Sequence, residues 1–267
     1  MIFKLPTLRH LAPARFPEVK RVIVAYSGGK DSLVVTDLAV RFYGADRVVG
    51  FYLYFVDDMD LTRAIIAYAK ERWGIEVIAY PHFFTSEYLN RGQFCAADPN
   101  VPLLKVKDIE RVAKADLGAQ WIAYGYRRSD SLERNAMLRC NYPGGVSEAW
   151  ARLAPVAEFS RNDILLYCRR HDIVVPSEQE MKTRSSNVGL YPSSMWWLRK
   201  WWPKDYERVL KVFPYATLQA DRYLDPRAQR PEKVRKKKGK GCESKLQQNQ
   251  SQTESQAESQ SQASATP

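Results

Sequence analysis

The sequence predicts a doubly wound α/β fold, in which helices cover both faces of a mostly parallel sheet. Apolar, β-branched runs of strand length alternate with segments of helical periodicity that are about ten to fifteen residues long. Glycines end the first two helical segments, as is typical of helix C-termini. Strands joined by helices of this length are parallel, and the right-handed crossovers leave helices on both faces of the sheet.

The elements follow one another in a regular order. Residues 21–27 (RVIVAYS) form the first expected strand, and residues 30–44 form a helix that ends at Gly44. Its apolar face carries Leu33, Val34, Leu38 and Phe42. Later strands are expected at 47–58, 75–82 and 119–126, with helices at 60–74 and 105–118, and a long polar stretch after the third strand. A further helix is expected after Ser160, which is a suitable N-cap.

Composition and charge limit the classes of protein. The chain has 267 residues and a net charge of +11, and the excess is partly concentrated at residues 227–240. Residues 226–267 are expected to be a disordered tail, basic and then Gln/Ser-rich, since they have little to bury. Residues 1–17 are expected to be an N-terminal extension. No apolar run reaches bilayer-spanning length, so a cytoplasmic protein without a membrane partner is expected.

Residues 27–32 (SGGKDS) lie where the first strand ends and the first helix begins. In a doubly wound sheet, ligands bind beyond the carboxyl ends of strands, where the strand order reverses. Adjacent glycines let the backbone approach a ligand, while the helix N-terminus and the hydroxyls of Ser27 and Ser32 favour an anion. The alternative is a simple capping turn, which has no use for Lys30. Walker A and dinucleotide fingerprints do not fit these residues.

Three segments resemble one known family. SGGKDS resembles the S-G-G-x-D-S loop of the PP-loop ATP pyrophosphatase superfamily. GYRRSDSLER, at residues 125–134, is similar to the G-x-R-R-x-[DEQ]-S-x-x-R segment of phosphoadenosine phosphosulfate (PAPS) reductases. Residues 153–173 are similar to a third family segment, in register at Pro155, Phe159, Ser160, Ile164, Tyr167 and His171. The sequence is therefore identified as similar to the PAPS reductase-like family of that superfamily.

The resemblance implies that residues 18–192 form a nucleotide-binding domain that uses ATP or a PAPS-like adenine nucleotide, with Mg²⁺. The residues implied in nucleotide binding are Ala25, Tyr26, Ser27, Gly28, Gly29, Ser32, Tyr52, Leu53, Tyr54, Gly125, Arg128 and Ser131. The implied catalytic residues are Lys30, Asp31, Arg127 and Arg134, and Asp31 is also the candidate Mg²⁺ ligand. Planar guanidinium groups suit bidentate binding of phosphate or sulfate oxygens.

The cysteines depart from the reductase pattern. PAPS reductases attack with a cysteine in an E-C-G-[LI]-H segment, whereas this chain has GKGCESK around Cys242. Cys95, Cys140 and Cys168 are far apart in sequence, so neither a zinc site nor an iron–sulfur cluster is expected. The expected activity is adenylation with pyrophosphate release, in sulfur transfer or nucleic-acid modification. The alternatives are true PAPS reduction and a non-catalytic module that binds nucleotides or nucleic acid.

Residues 193–225 contain a tryptophan-rich segment that is expected to be helical and to pack on the nucleotide-binding domain. Its apolar stripe is expected to consist of Trp197, Trp201, Val209 and Val212, with a homodimer contact as a further use of the surface. The alternative is stacking on nucleobases. The basic residues 227–240 are the candidate arm for nucleic acid or another polyanion.

Overall fold

The computed structural model describes residues 19–174 and 189–224, all within one compact unit, Met1–Asp225. A second unit, Pro226–Pro267, lies outside the described residues. The expected N-terminal extension, the expected tail, Cys242 and the basic residues 227–240 therefore also lie outside them.

A six-stranded sheet forms the centre of the described unit, in the order β3-β2-β1-β4-β6-β5. Its strands are β1 (Val22–Ala25), β2 (Val48–Tyr54), β3 (Glu76–Pro81), β4 (Trp121–Ala123), β5 (Val146–Ser147) and β6 (Arg152–Leu153). The pairs are parallel except for β5 with β6. The predicted α/β class with a mostly parallel sheet is confirmed, and β5 and β6 are additions that the sequence did not indicate.

Nine α-helices connect and extend the sheet in the described ranges. They are α1 (Lys30–Tyr43), α2 (Asp60–Trp73), α3 (Phe83–Arg91), α4 (Val106–Asp116), α5 (Leu132–Asn141), α6 (Arg161–Arg170), α7 (Pro192–Trp201), α8 (Pro203–Val212) and α9 (Thr217–Leu224). Gly74 ends α2 in the left-handed conformation, which glycine adopts without strain. Helix α3 occupies part of the stretch expected to be a loop. Ser160 caps α6 as expected, accepting from the backbone N–H of Asp163.

Both faces of the sheet are buried, which explains the continuous apolar runs in its strands. Val22 and Val24 of β1 pack with residues of α1, α2 and α6 on one face. Ile23, which points to the opposite face, packs with Ile109 and Ala113 of α4. Helices on both faces complete the doubly wound arrangement. No helix in the described ranges is long and apolar enough to cross a bilayer.

Helices α7 to α9 form a third apolar cluster with the residues that follow β2. Phe55 and Met59 pack there with Met195, Leu198 and Val209. The expectation that Trp201 belongs to this buried stripe is wrong, because Trp201 is 54% exposed. Met195 and Leu198, which are about one helical turn apart, lie on the buried face of α7 instead. The boundary expected between residues 192 and 193 stays a prediction.

The buried carboxylate of Asp205 joins α8 to the start of α2. It accepts hydrogen bonds from the backbone N–H groups of Asp60 and Leu61, both at 2.8 Å. The N-cap residue of α2 is Met59, which offers no side-chain acceptor. A residue from a distant helix therefore caps α2 and holds α8 at the carboxyl end of β2.

Candidate functional site

The strand order reverses at β1, which has β2 on one side and β4 on the other. The loops after β1 and β4 therefore leave the same edge of the sheet from neighbouring strands. A Cβ built on Gly125 would lie 3.1 Å from the backbone carbonyl carbon of Asp31. The structure thus brings together the two segments, 27–32 and 125–134, that the sequence singled out.

The first loop is closed by its own hydroxyl groups. The Ser32 hydroxyl donates to the Gly29 carbonyl at 2.9 Å and accepts from the Ser27 N–H at 3.2 Å. The Ser27 hydroxyl lies 3.1 Å from that of Ser32. Gly28 has φ +71°, and an added Cβ would lie 2.8 Å from Ile65 Cγ2. These contacts fix the loop backbone and bring it close to α2.

Helix α1 begins at this loop without a side-chain cap on its N-terminus. Its N-cap is Gly29, which has no side chain to cap the first turn of the helix. The positive end of a helix dipole and uncapped amide N–H groups attract an anion. The loop therefore has the chemistry of a phosphate cradle.

Four charged side chains link the two loops. Asp31 lies 2.5 Å from the Lys30 ammonium and 2.9 Å from Arg127 Nε, and Arg127 Nη2 lies 2.5 Å from Asp130. Arg127 is only 7% exposed, whereas the side chains of Asp31 and Asp130 are partly exposed. Arg127 therefore holds the second loop against the first.

Three buried polar atoms in this linkage form no hydrogen bond within the described ranges: Asp31 Oδ1, Arg127 Nε and Arg127 Nη1. Arg127 Nη1 is buried and has no hydrogen-bond partner among the described residues. The Nε atom is close to Asp31 but is not aligned for a hydrogen bond. An unpaired buried donor is costly, and an anion oxygen in the crevice would satisfy it. The residues present therefore fit a phosphate or sulfate group.

Arg134 is held differently from the other cations. Its guanidinium lies over the ring of Tyr126, with 4.0 Å between the guanidinium carbon and the ring centroid. No ion pair joins Arg134 to a carboxylate in the described part of the chain, whereas Arg128 pairs with Glu158 at 2.6 Å. Arg134 thus keeps its charge available to a ligand. Ser131, expected in nucleotide binding, caps α5 by accepting from the Arg134 N–H at 3.0 Å.

A buried cluster that the sequence did not reveal supports Arg134. The ring of Tyr126 stacks on Tyr124 with 4.6 Å between centroids, and the Tyr124 hydroxyl donates to Glu110. Arg152 binds both Glu110 carboxylate oxygens, at 2.7 and 2.6 Å. Burial raises the pKa of Tyr124 and keeps its hydroxyl protonated. The sequence signal for this cluster was the pair of tyrosines in the expected strand. Glu110 and Arg152 could not be assigned to the cluster because they lie on elements far apart in sequence.

The nucleotide-binding residues expected at the ends of the first two strands, Ala25, Tyr26 and Tyr52 to Tyr54, lie along a strand edge. The last residue of β1, Ala25, pairs with Phe51, but β2 continues through Tyr52, Leu53 and Tyr54 and pairs there with β3. Over residues 52–54, the edge of β2 that faces β1 therefore extends beyond the end of β1. The Tyr26 side chain is buried, and its hydroxyl donates to Ile65 O at 3.1 Å. The Tyr26 ring is therefore not exposed at this edge, and the Tyr26 backbone N–H donates to Phe51 O at 2.9 Å.

The described cysteines and acids show no metal or thiol centre at the crevice. Burial raises the pKa of the Cys168 thiol to about 11, and burial also raises the pKa of Cys95. Neither change favours a thiolate. No group of three or more His, Cys, Asp or Glu residues in the described ranges is arranged to hold a metal ion. Both Asp31 oxygens lie beside cations, at 2.5 Å from the Lys30 ammonium and 2.9 Å from Arg127 Nε.

The family model described as the phosphoadenosine phosphosulfate reductase domain matches residues 21–178. The chain belongs to this family. The match includes both loops and all six strands, and it confirms the resemblance drawn from the sequence.

Two further likenesses accompany membership of the PAPS reductase domain family. Over 170 residues the chain is 29% identical to tRNA(Ile)-lysidine synthase of Symbiobacterium thermophilum, covering 57% of this chain and 34% of that protein. The chain thus aligns with about a third of that relative's length. It is also similar to the solved structure of U34-tRNA thiolase NcsA from Methanococcus maripaludis with its 4Fe–4S cluster. The identity is 17%, the TM-score is 0.44, and 79% of this chain and 76% of that chain are covered.

Proposed function

We propose that this protein is an enzyme that binds ATP or a closely related adenine nucleotide in the crevice between β1 and β4 and acts at the α-phosphate. The acceptor takes the adenylyl group, and pyrophosphate is released. The observation that carries the proposal is the position of the α1 N-terminus, which begins at Gly29 without a side-chain cap and which the Arg127–Asp31 pair ties to the second basic segment. The acceptor is proposed to be nucleic acid, because the tRNA(Ile)-lysidine synthase relative acts on tRNA by its name.

Each group has a separate role in this proposal. The amides of the Gly28–Gly29 turn and the α1 N-terminus hold phosphate oxygens, and the free edge of β2 holds the adenine through backbone groups. The acceptor attacks the α-phosphorus as the bond to the bridging oxygen breaks, and pyrophosphate leaves with that electron pair. Lys30 stabilises the charge that develops on the leaving oxygens. The acceptor's proton passes to solvent.

The net charge of the side chains at the site bears on the role that is proposed for Mg²⁺. Lys30 and Arg127 are opposed by Asp31 and Asp130, so these four side chains carry no net charge. The positive groups left to balance a polyanionic nucleotide are Arg134 and the N-terminus of α1. The helix N-terminus is equivalent to about half an elementary charge. Mg²⁺ is therefore proposed to enter bound to the nucleotide phosphates, where it neutralises charge. Asp31 as its ligand stays a prediction.

Pyrophosphate release tests this function. The assay contains ATP, Mg²⁺ and bulk tRNA as the acceptor probe, and Lys30→Gln is compared with Lys70→Gln, an exposed lysine on α2. We expect at least a tenfold slower rate for Lys30→Gln, about 1.4 kcal/mol, and no change for Lys70→Gln. ATP binding without pyrophosphate release would indicate the non-catalytic module. Absence of ATP binding would contradict the proposal altogether.

True PAPS reduction is the second candidate, because the matching family is named for it. Two of the three described cysteines oppose this reading, since burial raises the pKa of Cys95 and Cys168, while the third, Cys140, is exposed. Cys242 lies outside the described residues and lacks the reductase motif. We expect no sulfite from PAPS and reduced thioredoxin. Sulfite production that disappears in Cys242→Ser would restore the reductase assignment.

The remaining expectations complete the proposal. Cytoplasmic localisation, a homodimer and polyanion binding through residues 227–240 stay predictions.

A further inference from the structure

Helix α7 presents aromatic rings on the side away from its buried face. Met195 and Leu198 are fully buried, whereas Trp201 is 54% exposed and Trp196 is half-buried. The Lys200 ammonium lies 5.2 Å from the Trp196 ring centroid and 4.9 Å from that of Trp201. Partly exposed indoles with a cation between them form an amphipathic surface of the kind that is enriched at interaction sites.

The charge of this surface favours an anionic partner. Lys200 and neighbouring Lys204 are exposed, and neither forms an ion pair with a carboxylate in the described ranges. Among residues 189–224, Lys and Arg outnumber Asp and Glu by six to three. Two of those three acids are already engaged, since Asp221 pairs with Arg199 and Asp205 with Arg208. The surface therefore keeps a positive charge beside its rings.

We propose that this α7 surface, Trp196, Lys200 and Trp201, binds a single-stranded segment of nucleic acid. Unpaired bases expose flat π-faces that stack on indole rings, and the adjacent phosphates match the lysine charge. Duplex bases are stacked on each other and offer no such face. The inference rests on the proposed function, because it names the acceptor class as a flexible nucleic-acid strand.

The position of α7 suits an acceptor that must reach the nucleotide. Helix α8 follows α7 directly and binds the start of α2 through Asp205. The start of α2 and the residues Phe55 and Met59, which pack on α7 to α9, all follow β2 at its carboxyl end. The helices that carry this surface therefore pack at the carboxyl end of β2, the edge of the sheet at which the crevice opens.

Fluorescence anisotropy with a 5′-fluorescein 12-nucleotide RNA tests this surface, using the full chain without nucleotide. We expect Trp201→Ala to weaken binding at least fivefold, because stacking on one aromatic ring is lost. Lys200→Gln should reduce the slope of log affinity against log salt by about one. The matched controls are Trp150→Ala, 43% exposed with Arg152 beside its ring at 5.4 Å, and Lys107→Gln, exposed on α4.

Several results would overturn the proposal. These are equal RNA affinity for Trp201→Ala and wild type, equal loss in Trp201→Ala and Trp150→Ala, and equal binding of the same sequence as a duplex. Loss of anionic vesicle binding or of dimer in Trp201→Ala, with RNA binding intact, would assign the surface to a membrane or to a second copy. If Lys200→Gln left the salt slope unchanged, the charge argument would fail.

The outcome is separable from that of the proposed function. Trp201→Ala should keep wild-type ATP affinity, because Trp201 is placed outside the nucleotide crevice. If wild type binds RNA through Trp201 but does not bind ATP, the proposed function fails and the α7 surface stands. If wild type binds ATP and Trp201→Ala binds RNA as tightly as wild type does, the proposal for the α7 surface fails and the proposed function stands.

Discussion

Replacing Gly125 by alanine tests whether the two loops form one site. The Cβ of alanine would lie 3.1 Å from both the carbonyl carbon and the Cβ of Asp31, and 3.3 Å from its carbonyl oxygen. These distances are shorter than ordinary contacts between carbon atoms, which are about 3.5 to 4.0 Å. Because two of the three contacted atoms are backbone at the start of α1, the strain is relieved only if the loops separate by a few tenths of an ångström.

The magnitude follows from overpacking and from the lost alignment. One extra methyl group in a packed place costs about 1 to 3 kcal/mol of folding free energy. Separation of the loops also lengthens the Arg127–Asp31 pair, now 2.9 Å, and moves the phosphate cradle relative to the second loop. We therefore expect Gly125→Ala to lower the free energy of unfolding by about 1 to 2 kcal/mol and ATP affinity by about tenfold.

Urea unfolding and isothermal titration with ATP measure the two effects. Gly118→Ala is the matched control, because Gly118 has φ +59° and an added Cβ meets nothing within 4 Å. Its left-handed backbone should cost about 1 kcal/mol in stability without changing ATP affinity. Wild-type stability and wild-type ATP affinity in Gly125→Ala would refute the close contact between the loops.

Two other predictions concern charge. Arg127→Met should lower the free energy of unfolding in urea by about 3 kcal/mol, since two carboxylates lose a buried partner. Arg134→Gln should change the free energy of unfolding by under about 0.5 kcal/mol yet reduce ATP affinity. The opposite pattern would reverse the roles of the two arginines. Burial lowers the pKa of His82 to about 4, and its neutral Nδ1 accepts from the Phe84 N–H at 3.1 Å. The unfolded chain binds that proton first, so the contribution is present above pH 6.5 and is lost as pH falls towards 4. His82→Asn keeps a capping oxygen, so the free energy of unfolding of this variant should fall less between pH 7 and pH 4.5 than that of wild type. Equal falls in the two proteins would contradict this role of His82.

The accuracy of the sequence predictions depended on element length. Strands β1 to β4 were predicted because each lies in an apolar run, and the fold class followed from the helices between them. Strands β5 and β6 have two residues each, too few for any periodicity. Helix α3 begins at three aromatic or imidazole side chains, His82 to Phe84, that stack on each other, and no apolar period marks it.

The sequence by itself determined which chemical groups the site has and where they lie along the chain. Gly28, Lys30 and Arg134 belong to short segments whose composition and position at strand ends already indicated anion binding. Only the tertiary structure decided how those groups divide their work. Arg127 is buried between Asp31 and Asp130 and positions the loops, while no carboxylate of residues 19–174 or 189–224 pairs with Arg134. The reason is physical: burial and ion pairing depend on the strand order that places β4 beside β1, and local sequence patterns carry no information on which distant segments become neighbours.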